Sequence, residues 1–444
     1  MAKSLTASGV AIVGCGTVGG AAATLLTRDR DILAARIGQV PQLRHIVDVE
    51  FAHARALGLD EKLYRKNLDD ALADDEVGVV AELVGGTTTA RQIIERSLEA
   101  GKNVVTANKA LLAHHGPELY ALARENGACI AFEASCGGGI PVLRAICDGL
   151  IANRIDALYG IVNGTCNYIL TAMTIHGQPY AEALAQAQKD GLAEADPTLD
   201  VAGVDSAHKL AVMASLAFGK RIDFDDIPAE GIDQLSLCDV TYGQELGYVI
   251  KLLAIAQRQR EGLSLRVCPA FITKAHPLAW VSGPFNAVSL YGHATGHTMY
   301  YGRGAGAMPT ASAVVADLVA IVNGTARRHF DALNVWPDRA EPAAQLPQQA
   351  ARSRYYLRVM VEDRPGVLAQ IAAILGRYEI SIASVLQHEA PEGSDPSAGV
   401  PVIITTYRAP AGNVQQALAE VGSLATVKAQ PVHIAIVDEH PEQL

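Results

Sequence analysis

The chain has 444 residues, more than one ordinary domain of about 100–200 residues, and therefore predicts two or three domains. Hydrophobic residues make up 50% and charged residues 19% of the sequence, which excludes a disordered chain. The 47 Asp and Glu residues outnumber the 36 Lys and Arg residues, and with a net charge of −11 nucleic acid is not an expected partner. No apolar stretch is long enough to cross a membrane, and the seven cysteines include no CxxC pair. We therefore expect a cytoplasmic protein with reduced thiols and no membrane partner.

Short apolar segments alternate with helical patterns over the first 140 residues. This alternation predicts an α/β fold with a Rossmann-type, doubly wound parallel sheet flanked by helices. The first strand runs directly into a glycine motif and a helix from about Val18. The expected strands are Val10–Val13, Leu43–Val47, Val77–Val84, Asn103–Val105 and Ala128–Glu133.

The glycine motif is GCGTVG at 14–19, and its place between a strand and a helix is typical of a dinucleotide-binding loop. Gly14 permits the tight turn, Gly16 lets the backbone approach a pyrophosphate, and Gly19 allows the helix to pack closely on the strand. The amides from Thr17 and Val18 onward supply the positive helix terminus that phosphates prefer. The alternative is a glycine-rich turn without a ligand.

Asp48 ends the second strand, where a carboxylate can accept hydrogen bonds from the adenosine ribose hydroxyls. Glu50 lies close by, and no basic residue stands between Arg44 and Arg55, so a 2′-phosphate would meet like charge. The sequence therefore predicts NAD in preference to NADP. Two alternatives stay open: Asp48 is only a turn residue, or Arg55 reaches a 2′-phosphate.

Two further loops follow the strands at 77–84 and 103–105, at the edge where ligands bind in open α/β sheets. The GGTT segment contains Gly86 and Thr87, which we expect near the nicotinamide end of the cofactor. The TANK segment contains Thr106 and Lys109, and a lysine at this edge is a candidate for polar chemistry. An ordinary turn and a solvated surface lysine are the alternatives.

From about residue 141 to 304 the pattern changes to amphipathic helices, such as Ala181–Lys189 and Val204–Ala217, mixed with strands. This predicts a second unit of α+β type. Asp205 and Lys209 stand four residues apart and thus share one face of the second helix. Such pairs are usually solvated ion pairs. Because this helix is strongly apolar, we expect it to be buried and its ion pair to line a cleft.

The stretch from Trp336 to Ala350 contains three prolines and little periodicity, and it predicts a linker over 336–351 that separates a tail module. The tail shows the order βαββαβ of a ferredoxin-like fold. Its expected elements are strands Tyr355–Val361, Ile380–Glu389, Val400–Tyr407 and Val432–Val437, a helix opened by DRPGV and a helix near Asn413–Val421.

Seven segments stand in order along the chain: GCGTVG, GGTT, TANK, EASCGGGIP, NGTCNYIL, EADPTLDVAGVDSAHK and YYGRGAGAMPTASAV. Together they resemble the homoserine dehydrogenase family over about the first three quarters of the sequence, and VEDRPGVLAQIAAIL is similar to the ACT domain that many members carry. The resemblance implies a Rossmann domain at 1–140, completed by about 305–335, a substrate-binding and dimerisation domain at 141–304, and an ACT domain at 352–440. It also implies a homo-dimer or homo-tetramer.

The resemblance implies reversible NAD(P)-dependent interconversion of L-homoserine and L-aspartate 4-semialdehyde, a step toward threonine, methionine and isoleucine. Lys209 would be the acid/base group at the C4 oxygen, and Lys109 a second catalytic cation that raises the acidity of Lys209. Asp205 would support the reaction, and Glu194 and Asp200 would hold the substrate, chiefly its amino end. The matching motifs further imply Gly164 and Thr165 at the substrate and Gly304 and Gly306 near the nicotinamide.

The segment EASCGGGIP resembles the family's monovalent-cation loop, in which a carboxylate and backbone carbonyls surround sodium or potassium. The matching positions are Glu133, Cys136, Gly138 and Ile140. The family often has valine where Cys136 stands, a change that touches only a backbone ligand. A plain glycine-rich turn is the alternative.

The tail loop of Asp363, Arg364, Pro365 and Gly366 lies between a strand and a helix, where exposed amides can bind a small carboxylate. Similarity to ACT domains implies an amino-acid effector, and L-threonine is the expected one, as end-product inhibitor. The alternative is a turn that only starts the helix.

Two other functions stay open on the sequence. A phosphorylating semialdehyde dehydrogenase would use a cysteine thiolate, and Cys136 and Cys166 lie near the expected chemistry. A cofactor-binding regulator would sense an amino acid through the tail without catalysis, although the presence of Glu194, Asp205 and both lysines argues against it.

Overall fold

The computed structural model describes residues 8–389 and 399–441. Its first layer is a parallel sheet with strands β1 (Gly9–Val13), β2 (Gln42–Val47), β3 (Tyr64–Arg65), β4 (Val77–Glu82), β5 (Asn103–Thr106) and β6 (Ile130–Ala131). The strand order β3-β2-β1-β4-β5-β6 confirms the predicted Rossmann-type sheet. All five residues of β1 are buried, because helices cover both faces of the sheet.

The helices of this layer begin at the loops that follow its strands. They are α1 (Thr17–Arg28), α2 (Arg30–Ala34), α3 (Ala52–Ala56), α4 (Leu68–Leu72), α5 (Thr88–Glu99) and α6 (Lys109–Glu125). Three of them, α1, α5 and α6, open on the carboxyl edge of the sheet, so the glycine loop, GGTT and TANK segments all reach one edge.

The second unit packs helices against one face of a mixed sheet. Its elements are α7 (Val142–Arg144), β7 (Ile155–Ile161), α8 (Gly164–His176), α9 (Tyr180–Lys189), α10 (Thr198–Val201), α11 (Val204–Phe218), α12 (Leu237–Glu245), β8 (Tyr248–Gln259), β9 (Gly262–Thr273), β10 (Phe285–Gly292) and β11 (Gly296–Arg303). Helix α11 is buried over almost its whole length, as its apolar sequence predicts, and packs on β7 and β8. Its two functional side chains are therefore held between the layers.

The chain then returns to the first layer and ends in the tail. The remaining elements are α13 (Ala307–Val322), α14 (Thr325–Ala332), β12 (Arg352–Val361), α15 (Val367–Arg377), β13 (Ile382–Leu386), β14 (Val400–Thr406), β15 (Ala409–Pro410), α16 (Ala411–Gly422) and β16 (Val432–Ile436). Helix α13 packs against α1. The tail strands take the order β16-β12-β14-β13, which confirms the ferredoxin-like arrangement. Short 3₁₀ turns occur at Glu61–Leu63, Glu133–Ser135, Pro277–Trp280 and Gln348–Ala350.

The tail has its own hydrophobic core, as expected of an ACT domain, but its sheet is also joined to that of the second unit. Strand β16 pairs in parallel with β9, with Ala435 opposite Ala270 and Ile436 opposite Phe271. One mixed sheet therefore runs from β11 through β9 into the tail. Periodicity within the tail could not show this, because the pairing uses the free backbone edge of β9.

The segment 336–350 is also bound along its length. Leu263 donates its amide to the carbonyl of Ala344, and Leu346 donates to the carbonyl of Leu263, each at 2.8 Å. Trp336 is buried, with its ring 5.7 Å from that of Phe132. A single aromatic anchor and backbone hydrogen bonds hold this stretch, which is why its sequence shows no amphipathic pattern.

Five expected strands are shorter in the structure, and two of them, Val400–Tyr407 and Val432–Val437, lose only their last residue. The strand expected to reach Val84 ends at Glu82, and Ile380–Glu389 contracts to Ile382–Leu386. The expected strand at 128–133 pairs only at Ile130–Ala131 and then turns into a 3₁₀ helix. Among these last three strands, buried residues continue past the paired segment only at 128–133, where Phe132 and Glu133 are buried, whereas Val84 and Glu389 are exposed beyond the ends of their strands.

Among the described residues, no single helix has the length and apolar composition needed to cross a membrane. Helices Ala307–Val322 and Thr325–Ala332 meet those two criteria only when joined, and they lie at 81° to each other.

Candidate active site

The glycine loop has the geometry that its three glycines predict. Gly14 has φ +92°, and a Cβ there would lie 2.8 Å from the carbonyl oxygen of Leu83. A Cβ on Gly19 would lie 1.9 Å from the carbonyl oxygen of Gly14, whereas Gly16 faces open space. The loop therefore leaves a surface beside Gly16 and the start of α1 where a pyrophosphate fits, next to Thr17 and Val18.

Asp48 is tied to this loop. Its Oδ2 accepts a hydrogen bond from the Cys15 amide at 2.6 Å, and its Oδ1 accepts one from the Val49 amide at 2.7 Å. The side chain is half-buried, so these two bonds fix its orientation while part of it stays accessible. An oriented carboxylate at this strand end fits the hydroxyls of a ribose.

Glu82, which the sequence analysis did not single out, organises the neighbouring loops. It is 1% exposed at the end of β4. Its Oε1 accepts hydrogen bonds from the amides of Val84 and Gly85 at 2.8 and 3.1 Å, and its Oε2 accepts one from the Thr106 hydroxyl at 2.7 Å. Thr106 is thus a buried support of the site. In the sequence, this role of Glu82 was indicated only by the position of an acidic residue at the end of an apolar strand.

Asn108 starts helix α6 and fixes the position of Lys109. Its Oδ1 accepts a hydrogen bond from the Leu111 amide at 3.0 Å, and its Nδ2 donates to the Gly86 carbonyl at 2.6 Å. The TANK and GGTT segments are therefore joined, and Lys109 occupies the first position of the helix.

The two lysines converge on one carboxylate. Lys109 Nζ lies 3.2 Å from Asp205 Oδ1, and Lys209 Nζ lies 2.7 Å from Asp205 Oδ2. Lys209 also donates to the Val162 carbonyl at 2.7 Å. Burial alone would raise the pKa of Asp205, but the Lys209 and Lys109 ammonium groups hold it well below its usual value. The structure thus places a carboxylate between two ammonium groups that the sequence analysis expected to act directly on each other.

Lys109 keeps its charge in this arrangement. Burial acts to lower its pKa, but the Asp205 carboxylate outweighs burial and raises the pKa above the usual lysine value. The Lys109 side chain is 38% exposed and the Lys209 side chain only 10%. Lys109 is therefore the more accessible of the two cations.

Asn163 joins the two acidic groups of the site, a role that the sequence did not reveal. Its Nδ2 donates to Asp200 Oδ1 at 2.7 Å and to Asp205 Oδ2 at 3.0 Å, while its Oδ1 accepts from the Cys166 amide at 2.8 Å and caps α8. Gly164 and Thr165 form the first turn of α8, and the Thr165 hydroxyl donates to the Leu192 carbonyl.

A cavity of about 530 Å³ opens at the carboxyl edge of the parallel sheet. Lys109 and Asp205 lie on its wall, and Glu194 and Asp200 face it from the second unit. Lys209 lies behind Asp205, and Gly164 and Thr165 are also outside the lining. The lining residues are Val18, Glu82, Leu83, Val84, Gly85, Gly86, Thr87, Ala107, Asn108, Lys109, Ala110, Glu194, Asp196, Leu199, Asp200, Asp205 and His208.

His208 adds a neutral ring to this wall. Its imidazole stacks on Phe224 at 4.5 Å and meets His114 edge-on at 5.4 Å. Burial, with help from His114, lowers the pKa of His208 to about 4. The ring is therefore uncharged at neutral pH, although it stands beside the Lys–Asp–Lys cluster.

The expected cation loop lies at the junction of the layers. Glu133 Oε1 and Oε2 accept hydrogen bonds from the amides of Leu143 and Arg144, each at 2.9 Å. Asp317 also pairs with Arg144, at 2.7 Å. Burial and the nearby Asp317 raise the pKa of Glu133 to about 8. Two buried carboxylates thus share one guanidinium, so a cation at this loop fits the local charge.

The loop at 304–306 packs on the expected cation loop and lies outside the cavity lining. A Cβ on Gly304 would meet the Asn286 side chain at 1.8 Å, and a Cβ on Gly138 would lie 2.5 Å from the Gly304 carbonyl oxygen. Gly306 has φ +127°. Ile140 donates its amide to Gly137 within the same turn.

Neither candidate cysteine is suited to act as a nucleophile. Cys136 is fully buried, and burial raises the pKa of its thiol to about 12. Cys166 is also fully buried, its Sγ lies 3.2 Å from the Asp200 carbonyl, and burial raises its pKa well above the usual thiol value. The thiolate that a phosphorylating semialdehyde dehydrogenase needs is therefore disfavoured at both positions.

The tail loop of Asp363, Arg364, Pro365 and Gly366 is fully exposed. Gly366 has φ +89° and caps helix α15. Arg364 pairs with Glu362 at 3.3 Å. The loop lies far along the chain from the cavity, and its Arg364 amide donates to the Glu362 carbonyl at 3.0 Å.

Comparison with known proteins identifies the family. The model of the homoserine dehydrogenase NAD-binding domain matches residues 14–133, that of homoserine dehydrogenase matches 141–319, and that of the ACT domain matches 355–426. The homoserine dehydrogenase of Pseudomonas aeruginosa is 43% identical over 436 residues, which cover 96% of this chain and 98% of that protein. The chain belongs to the homoserine dehydrogenase family. This confirms the resemblance stated from the sequence motifs.

Solved structures of homoserine dehydrogenases share the whole fold. That from Thiobacillus denitrificans is 40% identical with a TM-score of 0.90, covering 97% of this chain and 98% of that one. The Staphylococcus aureus structure at pH 7.5 is 28% identical with a TM-score of 0.74 and the same coverage. The protein is thus an oxidoreductase of amino-acid biosynthesis that acts on homoserine with a nicotinamide cofactor, and its ACT domain implies an amino-acid effector.

Proposed function

We propose that this homoserine dehydrogenase catalyses reversible oxidation of L-homoserine to L-aspartate 4-semialdehyde through the cluster of Lys109, Asp205 and Lys209, toward threonine, methionine and isoleucine. The observation that carries the proposal is the convergence of both ammonium groups on one carboxylate, at 3.2 and 2.7 Å, beside the cofactor loops. An alcohol that becomes a carbonyl needs a proton acceptor and a cation near its oxygen, and this cluster holds both kinds of group.

The two other carboxylates that the second unit contributes to the cavity suit the amino end of the substrate. Glu194 is exposed to the cavity, and Asp200 faces it while accepting a hydrogen bond from Asn163. The ammonium group of the substrate prefers such acidic partners. The Lys109 ammonium favours the C4 oxygen at the other end of the substrate. We assign Gly164 and Thr165 to the substrate side through the first turn of α8.

Lys209 is the proposed proton-transfer residue. An ammonium group has three N–H donors, and two of those of Lys209 are used by Asp205 Oδ2 and the Val162 carbonyl. In the reductive direction the third donates its proton to the C4 oxygen, and in the oxidative direction the neutral amine of Lys209 takes the proton from the alcohol as the hydride leaves C4. Lys109, whose charge Asp205 maintains, stabilises negative charge on that oxygen. The nicotinamide, when bound, accepts the hydride from C4.

The proposed cofactor is NAD in preference to NADP. Asp48 is fixed by the Cys15 and Val49 amides, and Glu50 adds a second negative charge nearby. A 2′-phosphate would meet like charge at this strand end. The proposed loops around the cofactor are those of Gly14, Gly16, Thr17, Val18, Gly19, Gly86, Thr87, Thr106, Lys109, Gly304 and Gly306.

Sodium or potassium is the proposed ion at the loop of Glu133, Cys136, Gly138 and Ile140. Support comes from the buried carboxylates of Glu133 and Asp317, which share only Arg144 as a cationic partner among the described residues. Carbonyl and carboxylate oxygens are ligands of this kind of ion. The loop packs on Gly304, so an ion here would hold the two segments together.

The proposed effector is L-threonine, bound at the loop of Asp363, Arg364, Pro365 and Gly366 in a homo-dimer or homo-tetramer. The exposed turn at Gly366, which has a positive φ and opens helix α15, supports this assignment, since such a turn can bind a carboxylate. We further propose domain limits at 1–140 with 305–335, 141–304 and 352–440.

One assay tests the reaction, the cofactor, the ion and the effector together. NADH and NADPH formation from L-homoserine is followed with sodium, potassium or neither, and with or without L-threonine. We expect faster turnover with NAD, a rise with the ion and a fall with L-threonine. Lack of turnover with either cofactor under every condition would refute the proposed reaction.

A further inference from the structure

A second polar cavity, of about 300 Å³, lies near the place where β9 of the second unit pairs with β16 of the tail. We propose that it binds a small anion, a molecule with a carboxylate or phosphate group. Its walls come from the ends of β8 and β9, the start of β12 and the residues that follow β16. This cavity and its four arginines, Arg258, Arg266, Arg352 and Arg408, form the junction site.

Arg266 is the central group of the junction site. It is only 8% exposed, and it donates to the hydroxyls of Ser353 at 3.1 Å and Ser264 at 3.5 Å. Among the described residues no carboxylate lies within ion-pair distance of its guanidinium. A guanidinium has five N–H donors, and burial of its charge without an anion is costly. An anion in the cavity would supply the missing partner.

The surrounding charges strengthen this requirement. Asp438 lies at the cavity but is shared between Arg408 at 3.2 Å and Arg354 at 3.4 Å. Glu439 also lines the cavity and is exposed at its rim. The four arginines of the junction site thus outnumber its two carboxylates, and a concave site with excess positive charge concentrates anions.

A neutral donor completes the set. The Tyr159 hydroxyl accepts a hydrogen bond from Gln257 Nε2 at 2.6 Å, so its own O–H remains a donor on the cavity wall. Planar guanidinium groups together with a hydroxyl donor match the oxygens of a carboxylate or a phosphate. These donors therefore favour a ligand that presents anionic oxygens.

The junction site is distinct from both sites already described. Arg352 begins β12, whereas the proposed effector loop follows the last residue of that strand, Val361. Ten residues of extended strand separate the two by roughly 30 Å. Arg258 also lies 5.3 Å from the ring of Phe218, the final residue of the helix that carries Asp205 and Lys209. Arg258 therefore connects the junction site to the end of helix α11 that lies away from the active site.

The test is calorimetric titration of the full chain with inorganic phosphate and, separately, with L-aspartate, at constant ionic strength set with chloride. We expect saturable binding of at least one of them at millimolar concentration or below. R266M should weaken binding about 10- to 100-fold, because a charge-assisted pair is lost. R352Q, at an exposed position, should weaken anion binding about tenfold. It tests the proposal even if R266M fails to fold.

R260Q is the matched control, because Arg260 lies in the exposed turn after β8 and does not line the cavity. It should bind as the unaltered protein does. The phosphate and L-aspartate titrations distinguish an inorganic from an amino-acid ligand. Absence of saturable binding of both anions, or equal binding in R352Q and the unaltered protein, would overturn the proposal. A changed oligomeric state in R266M without anion binding would assign the arginines to a contact between copies and would also overturn it.

Discussion

Arg358 of the ACT sheet and Asp239 of helix α12 form a buried, two-point ion pair, with Nε to Oδ1 at 2.7 Å and Nη2 to Oδ2 at 3.0 Å. Asp239 is 0% exposed, and the Tyr356 hydroxyl donates to the same Oδ1 at 3.0 Å. Helix α12 in turn contacts α8, where Gln244 Nε2 donates to the Thr174 carbonyl at 2.7 Å. The ACT sheet is thus connected to the helix whose first turn borders the catalytic cluster.

Replacing one partner of this pair should be much more damaging than replacing both. R358M leaves Asp239 charged and buried, and we expect it to lower the free energy of unfolding by about 3–5 kcal/mol. The double variant R358M/D239L should recover a large part of that loss. Urea unfolding measures both. A double variant no more stable than R358M would show that the cost arises from packing and not from the charge.

Loss of either lysine should slow turnover without removing cofactor affinity. We expect K209A to lower kcat about 10²- to 10⁴-fold, the usual contribution of a positioned acid/base group. K109A should also lower kcat, because the charge facing the substrate oxygen is lost. NADH fluorescence titration should give a nearly unchanged Kd in both. K220A, at a surface ion pair with Glu341, is the control and should behave as the unaltered enzyme. Near-normal turnover of K209A would remove its proposed role.

Asp48 should determine the choice between the two cofactors. D48N keeps the shape of the side chain but removes its charge, and we expect the ratio of kcat/KM for NAD over NADP to fall on the order of tenfold. Glu50 is exposed, and its side chain forms no hydrogen bond with the glycine loop among the described residues, whereas Asp48 does. E50Q should therefore change this ratio less than D48N. A clear preference of the unaltered enzyme for NADP would contradict the assignment.

His208 should make the protein less stable in mild acid. Its pKa is about 4 in the folded state, where burial and His114 disfavour the charged ring, against about 6.5 when unfolded. The folded state therefore binds fewer protons, so the contribution of His208 is complete above about pH 6.5 and is lost as the pH falls toward 4. Acid therefore lowers the free energy of unfolding through His208, and we expect H208Q to remove up to about 3 kcal/mol of that decrease.

Urea unfolding at a series of pH values between 7 and 4 measures the effect of H208Q. H176Q is its control, because His176 is exposed at the end of α8. Parallel pH profiles for H208Q and the unaltered protein would show that His208 does not titrate in this range.

Point changes in the tail loop should relieve inhibition by L-threonine. D363A and R364A, at exposed positions, should raise the inhibitory L-threonine concentration at least about tenfold and leave kcat unchanged, because the contacts of these side chains with Gln387 and Glu362 lie at the surface. R377A, at the exposed end of α15, is the control. Removal of the whole tail is a poorer test, since it exposes the edge of β9 and leaves Asp239 without its cationic partner. Unchanged inhibition in D363A and R364A would place the effector elsewhere.

The sequence predicted the features that depend on short-range pattern. The glycine loop, the buried helix with Asp205 and Lys209, and the tail order followed from spacing and apolar periodicity. The roles of Glu82 and Asn163 did not, because each depends on partners brought together only by the fold. Lys209 pairs with Asp205 as their helical spacing predicts, but its hydrogen bond to the Val162 carbonyl depends on the fold in the same way.

The pairing of β9 with β16 has a mechanical consequence. Because backbone hydrogen bonds continue across it, a twist imposed at the tail is carried into the strands beneath the catalytic helices without a hinge. We therefore expect the two halves to melt in one cooperative step and not as two independent domains.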